Sequence, residues 1–418
     1  MGPLARGRAS MVPRHKIDIS AADLLFALLA CLTARSPERD ERAALDALEI
    51  GEEGLACLSV RSGLDLLLEA LALPAGSEVV VSAVTHLDMA RILERHGIVP
   101  VPVDLDPATL EPRHDLLELA VTRRTRAILV AHLFGSTARL RLIAAVARRH
   151  GLLLVEDCAQ SLGASPRGGD RLADVSMFSL GPIKTSTALG GAVLRVGDPE
   201  LLGRMRALQS AWPTQRRSAY AARVARFAGL AVVARPVVYG TLARLVDLDR
   251  LVAGSVRGFP GADGELFERL RARPSGPLLA TMERRLRTLD LERIAARSRA
   301  GEELAALLTP CLARPGAGAE RRTHWVFPVV AADPQAFVAA LRSAGFDAAR
   351  GTTSIGVVPA PPDRPELEPH EARRVMRDVV FLPAYPEVRG RRRRRLAEAA
   401  NAACAQTEGR ELTVPALL

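Results

Sequence analysis

The chain has almost no lysine. Of its 57 basic residues, two are lysines, Lys16 and Lys184, and the other 55 are arginines. An arginine stays charged and cannot act as a nucleophilic amine; a lysine can, once desolvated or set beside other charge. Amine chemistry is therefore restricted to two positions. Lys16 lies in an N-terminal arm and reads as incidental, whereas Lys184 lies in a dense motif region. Aromatic residues are scarce at 4%, and no aromatic-rich RNA-binding motif is present. The cysteines, at 31, 57, 158, 311 and 404, show no C-x-x-C and no paired spacing. That excludes a disulfide framework or a cysteine zinc site and fits free thiols in a reducing cytoplasm.

Long apolar runs are missing as well. No apolar core with a cleavage site adjoins the N-terminal arginines, and the stretch 24–32 is too short to span a membrane. The stretch 227–242 contains Arg235 and Pro236. It reads as a buried helix or subunit contact, with weak docking on a membrane surface as the alternative. A net charge of +10 would suit nucleic acid. The arginines, however, are interspersed with acids, and only 389–395 is a dense run, so a solvated basic surface is expected and no nucleic-acid partner.

What is present is material for more than one domain: 418 residues, 48% apolar and 25% charged. Apolar runs predict strands at 78–83, 99–103, 127–131, 152–155, 175–178 and 192–196. Helical patterns lie between them at 87–96, 116–121 and 140–150, with another from 199. This alternation indicates an α/β fold with a mainly parallel sheet flanked by helices, whose ligands collect at the carboxyl ends of the strands. Arg-rich and Ala/Leu-rich helices follow, broken at 254–264 and 273–277. After a linker at 310–318, a smaller α+β unit is predicted, with strands at 325–330 and 381–383. Its helices fall at 334–344, at 370–379 and from 394. The expected division is an N-terminal arm with helices (1–50), a large α/β domain (51–212), a divergent helical region (213–310) and a small C-terminal α+β domain (311–418).

Four clusters carry chemistry. Val155-Glu156-Asp157-Cys158-Ala159-Gln160 ends an apolar strand in acids. A buried carboxylate there needs a positive partner, such as the protonated pyridine nitrogen of pyridoxal phosphate; a capping aspartate is the plainer alternative. The segment from Phe178 to Thr187 sets Lys184 on a Gly/Pro-shaped turn, which suits a Schiff base to that cofactor. It is no phosphate-binding P-loop, because Ile183 stands where a glycine must precede the lysine. Arg61-Ser62-Gly63 opens a helix whose start suits an anion such as the cofactor phosphate, or is simply a cap. Ser82-Ala83-Val84-Thr85-His86 ends another strand, where an imidazole could stack on the pyridine or cap a helix.

In order and spacing these segments resemble the DegT/DnrJ/StrS family of sugar aminotransferases, which use pyridoxal phosphate on the fold-type-I architecture. The likeness runs from about Ser59 to Arg206 and includes Gly76-x-Glu78-Val79, Pro100-Val101-x-Val103-Asp104-x-Asp106, Thr122-x-x-Thr125-x-Ala127-Ile128 and His132-x-x-Gly135. It returns at Phe381-Leu382-Pro383-Ala384-Tyr385-Pro386-Glu387. The resemblance implies that Lys184 is the Schiff-base lysine and general acid and base, and that Asp157 meets the pyridine nitrogen. It also implies that Gln160 sits near the ring hydroxyl, that Ser62, Gly63 and Ser179 hold the phosphate, and that His86 stacks on the ring. It further implies a cytoplasmic homodimer that takes an amino group from a donor such as glutamate and passes it to a keto group, plausibly on a nucleotide-linked sugar. Arg350, in a Gly/Thr/Ser-rich loop, is a candidate for a substrate carboxylate or phosphate, with a plain surface role as the alternative.

Departures bear on the acceptor more than on the cofactor. Leu64 replaces the hydroxyl residue usual after Ser-Gly, and the loop from Lys184 to Gly190-Gly191 is short. Gln209-Ser210-Ala211-Trp212-Pro213 stands where the family has an Asn/His-Gly segment, and 213–300 has little family likeness. Three rivals remain open. Sugar dehydratases of the family typically lose the lysine that is kept here. Another pyridoxal-phosphate reaction on an unusual acceptor, and a regulatory protein that binds the cofactor without turnover, complete the set.

Overall fold

The computed structural model describes residues 11–33, 35–245, 263–350 and 354–411. Its main element is a seven-stranded sheet built from β1 (Gly54–Cys57), β2 (Glu78–Ser82), β4 (Val99–Val103), β5 (Thr125–Ala131), β6 (Leu153–Asp157), β7 (Val175–Ser179) and β8 (Ala192–Val196). The strand order is β1-β8-β7-β6-β5-β2-β4. β4, β2, β5, β6 and β7 run parallel; β8 is antiparallel to both β7 and β1. Nearly every residue of these strands is buried, as a sheet covered by helices on both faces requires. The helices between them include Val60–Leu71, Leu87–Arg95, Leu140–Arg149 and Pro199–Ser210.

The predicted strands at 99–103 and 192–196 are observed with those bounds. β1 was not foreseen: Gly-Leu-Ala-Cys has no β-branched residue and is held by its pairing with β8. The strand predicted to run toward His86 is two strands. β2 stops at Ser82, and β3 (Val84–His86) turns away to pair with β11 (Ile355–Val357), with Ile355 opposite His86. A three-stranded antiparallel sheet of β9 (Phe327–Val330), β10 (Ala349–Arg350) and β12 (Val379–Leu382) lies further along the chain. The predicted break at 254–264 and the loop at 350–354 fall largely outside the described residues.

The stretch 227–242 is divided between two helices, Arg217–Val233 and Pro236–Leu245, as Pro236 dictates. Phe227 and Tyr239 point into the interior. No helix among the described residues is long and apolar enough to cross a membrane. The helix Gly276–Arg287 packs on two N-terminal helices, Ala21–Leu32 and Pro37–Ala47. Arg284 and Arg285 both hold Asp23 there, at 2.8 and 2.7 Å.

Candidate active site

Lys184 sits on the loop joining β7 to β8, at the carboxyl end of β7. The loop is closed at its neck: Leu180 N–H donates to Gly191 O at 3.0 Å, and Gly190 N–H donates to Leu180 O at 3.1 Å. The Thr187 hydroxyl donates to Gly181 O at 2.6 Å. Ser186 and Leu189 take left-handed backbone angles, φ 53° and 62°, a strain held only where the surroundings fix it. The N-terminal arm supplies part of that hold, with Asp18 Oδ2 accepting Ser186 N–H at 2.8 Å.

The ammonium of Lys184 lies 4.4 Å from the centre of the Trp325 ring, and the indole N–H of Trp325 donates to Ile183 O at 3.0 Å. Burial lowers the Lys184 pKa to about 8; the charge of Asp157 opposes this and that of Arg61 adds to it. A neutral amine is thus available near physiological pH, as a nucleophile requires.

Asp157 closes β6 and faces this charge. Its Oδ1 accepts Ala159 N–H at 2.8 Å; Oδ2 has no hydrogen bond among the described residues. Burial raises the pKa of Asp157, against the pull of Ala159 N–H, Lys184 and His132. A nearly buried carboxylate with one free oxygen and no ion pair is a ready partner for a cationic N–H. Beside it, Glu156 Oε2 lies 3.0 Å from His132 Nε2, and His132 Nδ1 accepts Ala138 N–H at 3.1 Å. The second bond leaves the ring hydrogen on Nε2, so the imidazole donates to Glu156. Burial would raise the Glu156 pKa, but the bonds from His132, Ser176 and Asp170 outweigh it and the value is lowered. Gly169, at φ +87°, makes room: a Cβ there would stand 2.3 Å from Glu156 Oε1. Cys158 approaches His132 and Glu156 closely enough to suggest a metal. Burial, however, drives its thiol pKa well up, and both nitrogens of His132 are engaged. The cluster braces the end of β6, where the Asp157 carbonyl accepts His132 N–H at 3.1 Å.

His86 caps the helix Leu87–Arg95 through Nδ1, which accepts Asp88 N–H at 3.2 Å. Burial, with the charges of Arg61 and Lys184, lowers its pKa to about 4, so the ring is neutral. Arg61 reaches across to Asp88 Oδ2 at 2.5 Å. Gln160 Oε1 accepts Phe134 N–H at 3.0 Å, which frees its amide NH2. The Ser179 hydroxyl accepts Gly181 N–H at 3.3 Å.

The structure therefore brings Lys184, Asp157 and His86 into one electrostatic neighbourhood. Ser62 and Gly63 are differently engaged. The helix is capped by Ser59, whose hydroxyl accepts Ser62 N–H at 3.1 Å and whose carbonyl accepts Gly63 N–H at 3.0 Å. Ser62 Oγ is fully buried 3.0 Å from Ser59 Oγ. A Cβ on Gly63 would meet Leu194 at 2.6 Å, so this glycine lets the helix pack on β8. Arg350 is an exposed residue of β10, not part of the wall around Lys184. A cavity of about 60 Å³ opens beside Lys184, and both lysines of the chain line it. Lys16, read from the sequence as incidental, is anchored there by Glu387 at 2.7 Å. The residues that sequence reasoning missed as site members are Arg61, the His132–Glu156 pair, Trp325 and Arg297. Trp325 had a signal, being one of two tryptophans in the chain; Arg297 had none among so many arginines.

These features define a class first. A mainly parallel sheet with a lysine loop after one strand and a buried aspartate at the end of its neighbour is the fold-type-I pyridoxal-phosphate transferase architecture. The chain superposes on an aminotransferase, TlmJ, from Streptoalloteichus hindustanus with a TM-score of 0.68 at 21% identity, covering 95% of this chain and 99% of that one. It superposes on the putative sugar aminotransferase Spr1654 from Streptococcus pneumoniae with a TM-score of 0.71 at 14% identity, covering 96% and 100%. Residues 41–236 match the model of the DegT/DnrJ/EryC1/StrS aminotransferase family. GDP-perosamine synthase of Caulobacter vibrioides is 36% identical over 160 residues, 38% of this chain and 43% of its own length. The erythromycin biosynthesis sensory transduction protein EryC1 of Saccharopolyspora erythraea is 42% identical over 166 residues, 38% and 45%. The matched region thus spans less than half the length of these relatives.

Proposed function

We propose that the protein is a pyridoxal-phosphate-dependent aminotransferase that takes an amino group from an amino acid, glutamate first, and delivers it to a keto group on a nucleotide-linked sugar. The observation that carries this reading is Lys184, its pKa lowered to about 8, facing the half-satisfied carboxylate of Asp157. The residues fit the cofactor. Asp157 Oδ2 would take the pyridine N–H, the free amide of Gln160 the ring hydroxyl, and the neutral His86 ring one face. The phosphate would lie by Ser179 and the start of the helix Val60–Leu71, next to Arg61; Ser62 and Gly63 shape that helix start. When bound, pyridoxal phosphate supplies an electron sink for the substrate carbon.

The chain's own residues then divide the work. Lys184 Nζ gives up its proton readily and can return it, acting as base and acid at the substrate carbon. Asp157 holds positive charge on its neighbour; Ala159 N–H orients its carboxylate and His132 N–H holds its backbone carbonyl. Trp325 lays its ring against Nζ. Among relatives, one bears a synthase name and another a sensory one; the intact Lys184 loop favours turnover over sensing. The reading includes a cytoplasmic homodimer. Leu25, Leu29 and Leu32, exposed along one face of the helix Ala21–Leu32, suit a subunit contact.

The test is amino transfer itself: protein, cofactor and glutamate, with a panel of keto sugars free and nucleotide-linked. Release of 2-oxoglutarate that depends on a keto sugar supports the reading. Release with none of them, or only with unrelated carbonyl compounds, overturns the sugar assignment.

A further inference from the structure

We propose that Asp18, in the N-terminal arm, is a positioning residue for Lys184: through Ser186 it holds the lysine loop in the turn that buries the amine. The inference rests on Lys184 being the reacting amine of the aminotransferase reading. Ser186 stands two residues after Lys184, is 2% exposed and has a left-handed backbone, φ 53°. The loop's other left-handed non-glycine, Leu189, is held from within, its N–H donating to Thr187 Oγ1 at 2.8 Å. Ser186 is held from outside. Its N–H donates to Asp18 Oδ2 at 2.8 Å, across 168 positions of sequence. Its hydroxyl donates to Arg285 O at 2.6 Å, and Arg285 Nη2 donates to Asp18 O at 2.7 Å. Asp18, Ser186 and Arg285 thus close a ring of hydrogen bonds. The carboxylate is fixed in turn by Arg293, on the helix Leu291–Leu307, whose Nε donates to Asp18 Oδ1 at 3.1 Å. The arm that carries it is tied down on the C-terminal side of the molecule, with Val12 N–H on Gly345 O at 2.9 Å and Lys16 on Glu387 at 2.7 Å.

Among the described residues Asp18 is the one acceptor of Ser186 N–H. A buried N–H without an acceptor is costly, and so is a left-handed serine that its surroundings do not hold. Without the Asp18 carboxylate both costs fall on Ser186. The loop relieves them by turning outward, which carries Lys184 toward water. Burial is the main cause of the lowered pKa of Lys184, about 8, so an amine moved toward water returns toward the ordinary lysine value of about 10.4. The titratable groups around the amine lie on other elements: Asp157 on β6, Arg61 on the helix Val60–Leu71 and the neutral His86 on β3. They remain in place when Asp18 is changed, so the shift reads the position of Lys184 itself.

The test uses the full chain freed of cofactor, with its amines carbon-13 dimethylated and titrated by NMR. With only two lysines present, Lys184 gives its own resonance, and that of Lys16 reports whether the arm stays seated. In Asp18→Ala the Lys184 midpoint should rise by about one pH unit or more, and capture of pyridoxal phosphate at pH 7 should slow about tenfold or more. Asp18→Asn keeps an oxygen for Ser186 N–H and should leave the midpoint near that of wild type. Adding Ser186→Gly to Asp18→Ala supplies a residue that takes the left-handed turn freely, and should bring the midpoint back down. A purely structural Asp18 would lower the melting temperature of Asp18→Ala and leave the midpoint where it was, which overturns the proposal; so does a midpoint that Ser186→Gly fails to lower. If Asp18→Ala does not fold, amide exchange in wild type decides: slow exchange at Ser186 N–H is expected, and exchange at the rate of an open loop overturns the proposal. Failure of wild type to capture pyridoxal phosphate, with these shifts intact, would sink the aminotransferase reading and leave Asp18 as the residue that positions Lys184.

Discussion

Trp325 links two parts of the site: its indole N–H holds the carbonyl of Ile183, and its ring lies 4.4 Å beneath the ammonium of Lys184. The lysine is thereby fixed through its own backbone neighbour and through its charge. Trp325→Phe keeps a ring but removes the hydrogen bond, and should cost about 1 kcal/mol of stability. Thermal unfolding checks this, and a melting temperature equal to wild type would show the bond to be dispensable.

The lowered pKa of Lys184 sets a pH dependence for cofactor capture. Only the neutral amine attacks the aldehyde, so the capture rate of the apoprotein should climb roughly tenfold per pH unit below the pKa and flatten above about 8. Asp157 raises the Lys184 pKa, so Asp157→Asn should move the midpoint to lower pH. Rates followed by absorbance from pH 6 to 10 would decide; a midpoint moving upward contradicts the assignment of these charges.

Glu156 and His132 predict an acid limb of stability. The Glu156 pKa is depressed in the folded state. Its contribution is therefore complete above the unfolded value and is lost as pH falls through the folded one. Denaturant unfolding of wild type should weaken in that acid range, and Glu156→Gln should flatten that limb. His132→Ala removes one hydrogen bond to the buried Glu156 carboxylate and should cost about 1.5–3 kcal/mol near pH 7.

Gly169→Ala tests the same brace by crowding. The new methyl would stand 2.1 Å from Ser176 Oγ and 2.3 Å from Glu156 Oε1, on a backbone at φ +87°. A loss of about 2 kcal/mol or more is expected, with a weakened cofactor band as Asp157 shifts. Normal stability in this variant would mean that the brace is loose.

Much of the large sheet could be read from sequence, because its strands are buried on both faces and spell largely apolar, valine-rich runs, as at 99–103 and 192–196. Lys184 was legible for a compositional reason: arginine had taken almost every other basic position. Asp157 was legible because a strand ended in acids. β1 escaped notice, since four small or unbranched residues carry no strand pattern without a partner. The pairing of β3 with β11 joins residues some 270 positions apart, and no local pattern encodes such a contact. The same is true of His132 with Glu156, and of Lys16 and Arg297 meeting beside Lys184. These groups become a site only through the fold.

The central claim is that Lys184 carries the cofactor and exchanges it with an amino donor. It is tested most directly by the absorbance spectrum of purified protein with pyridoxal phosphate, before and after glutamate, beside Lys184→Ala. A visible band in wild type that glutamate bleaches, absent from the variant, is the predicted result. A wild type without the band, or a variant that keeps it, would contradict the account.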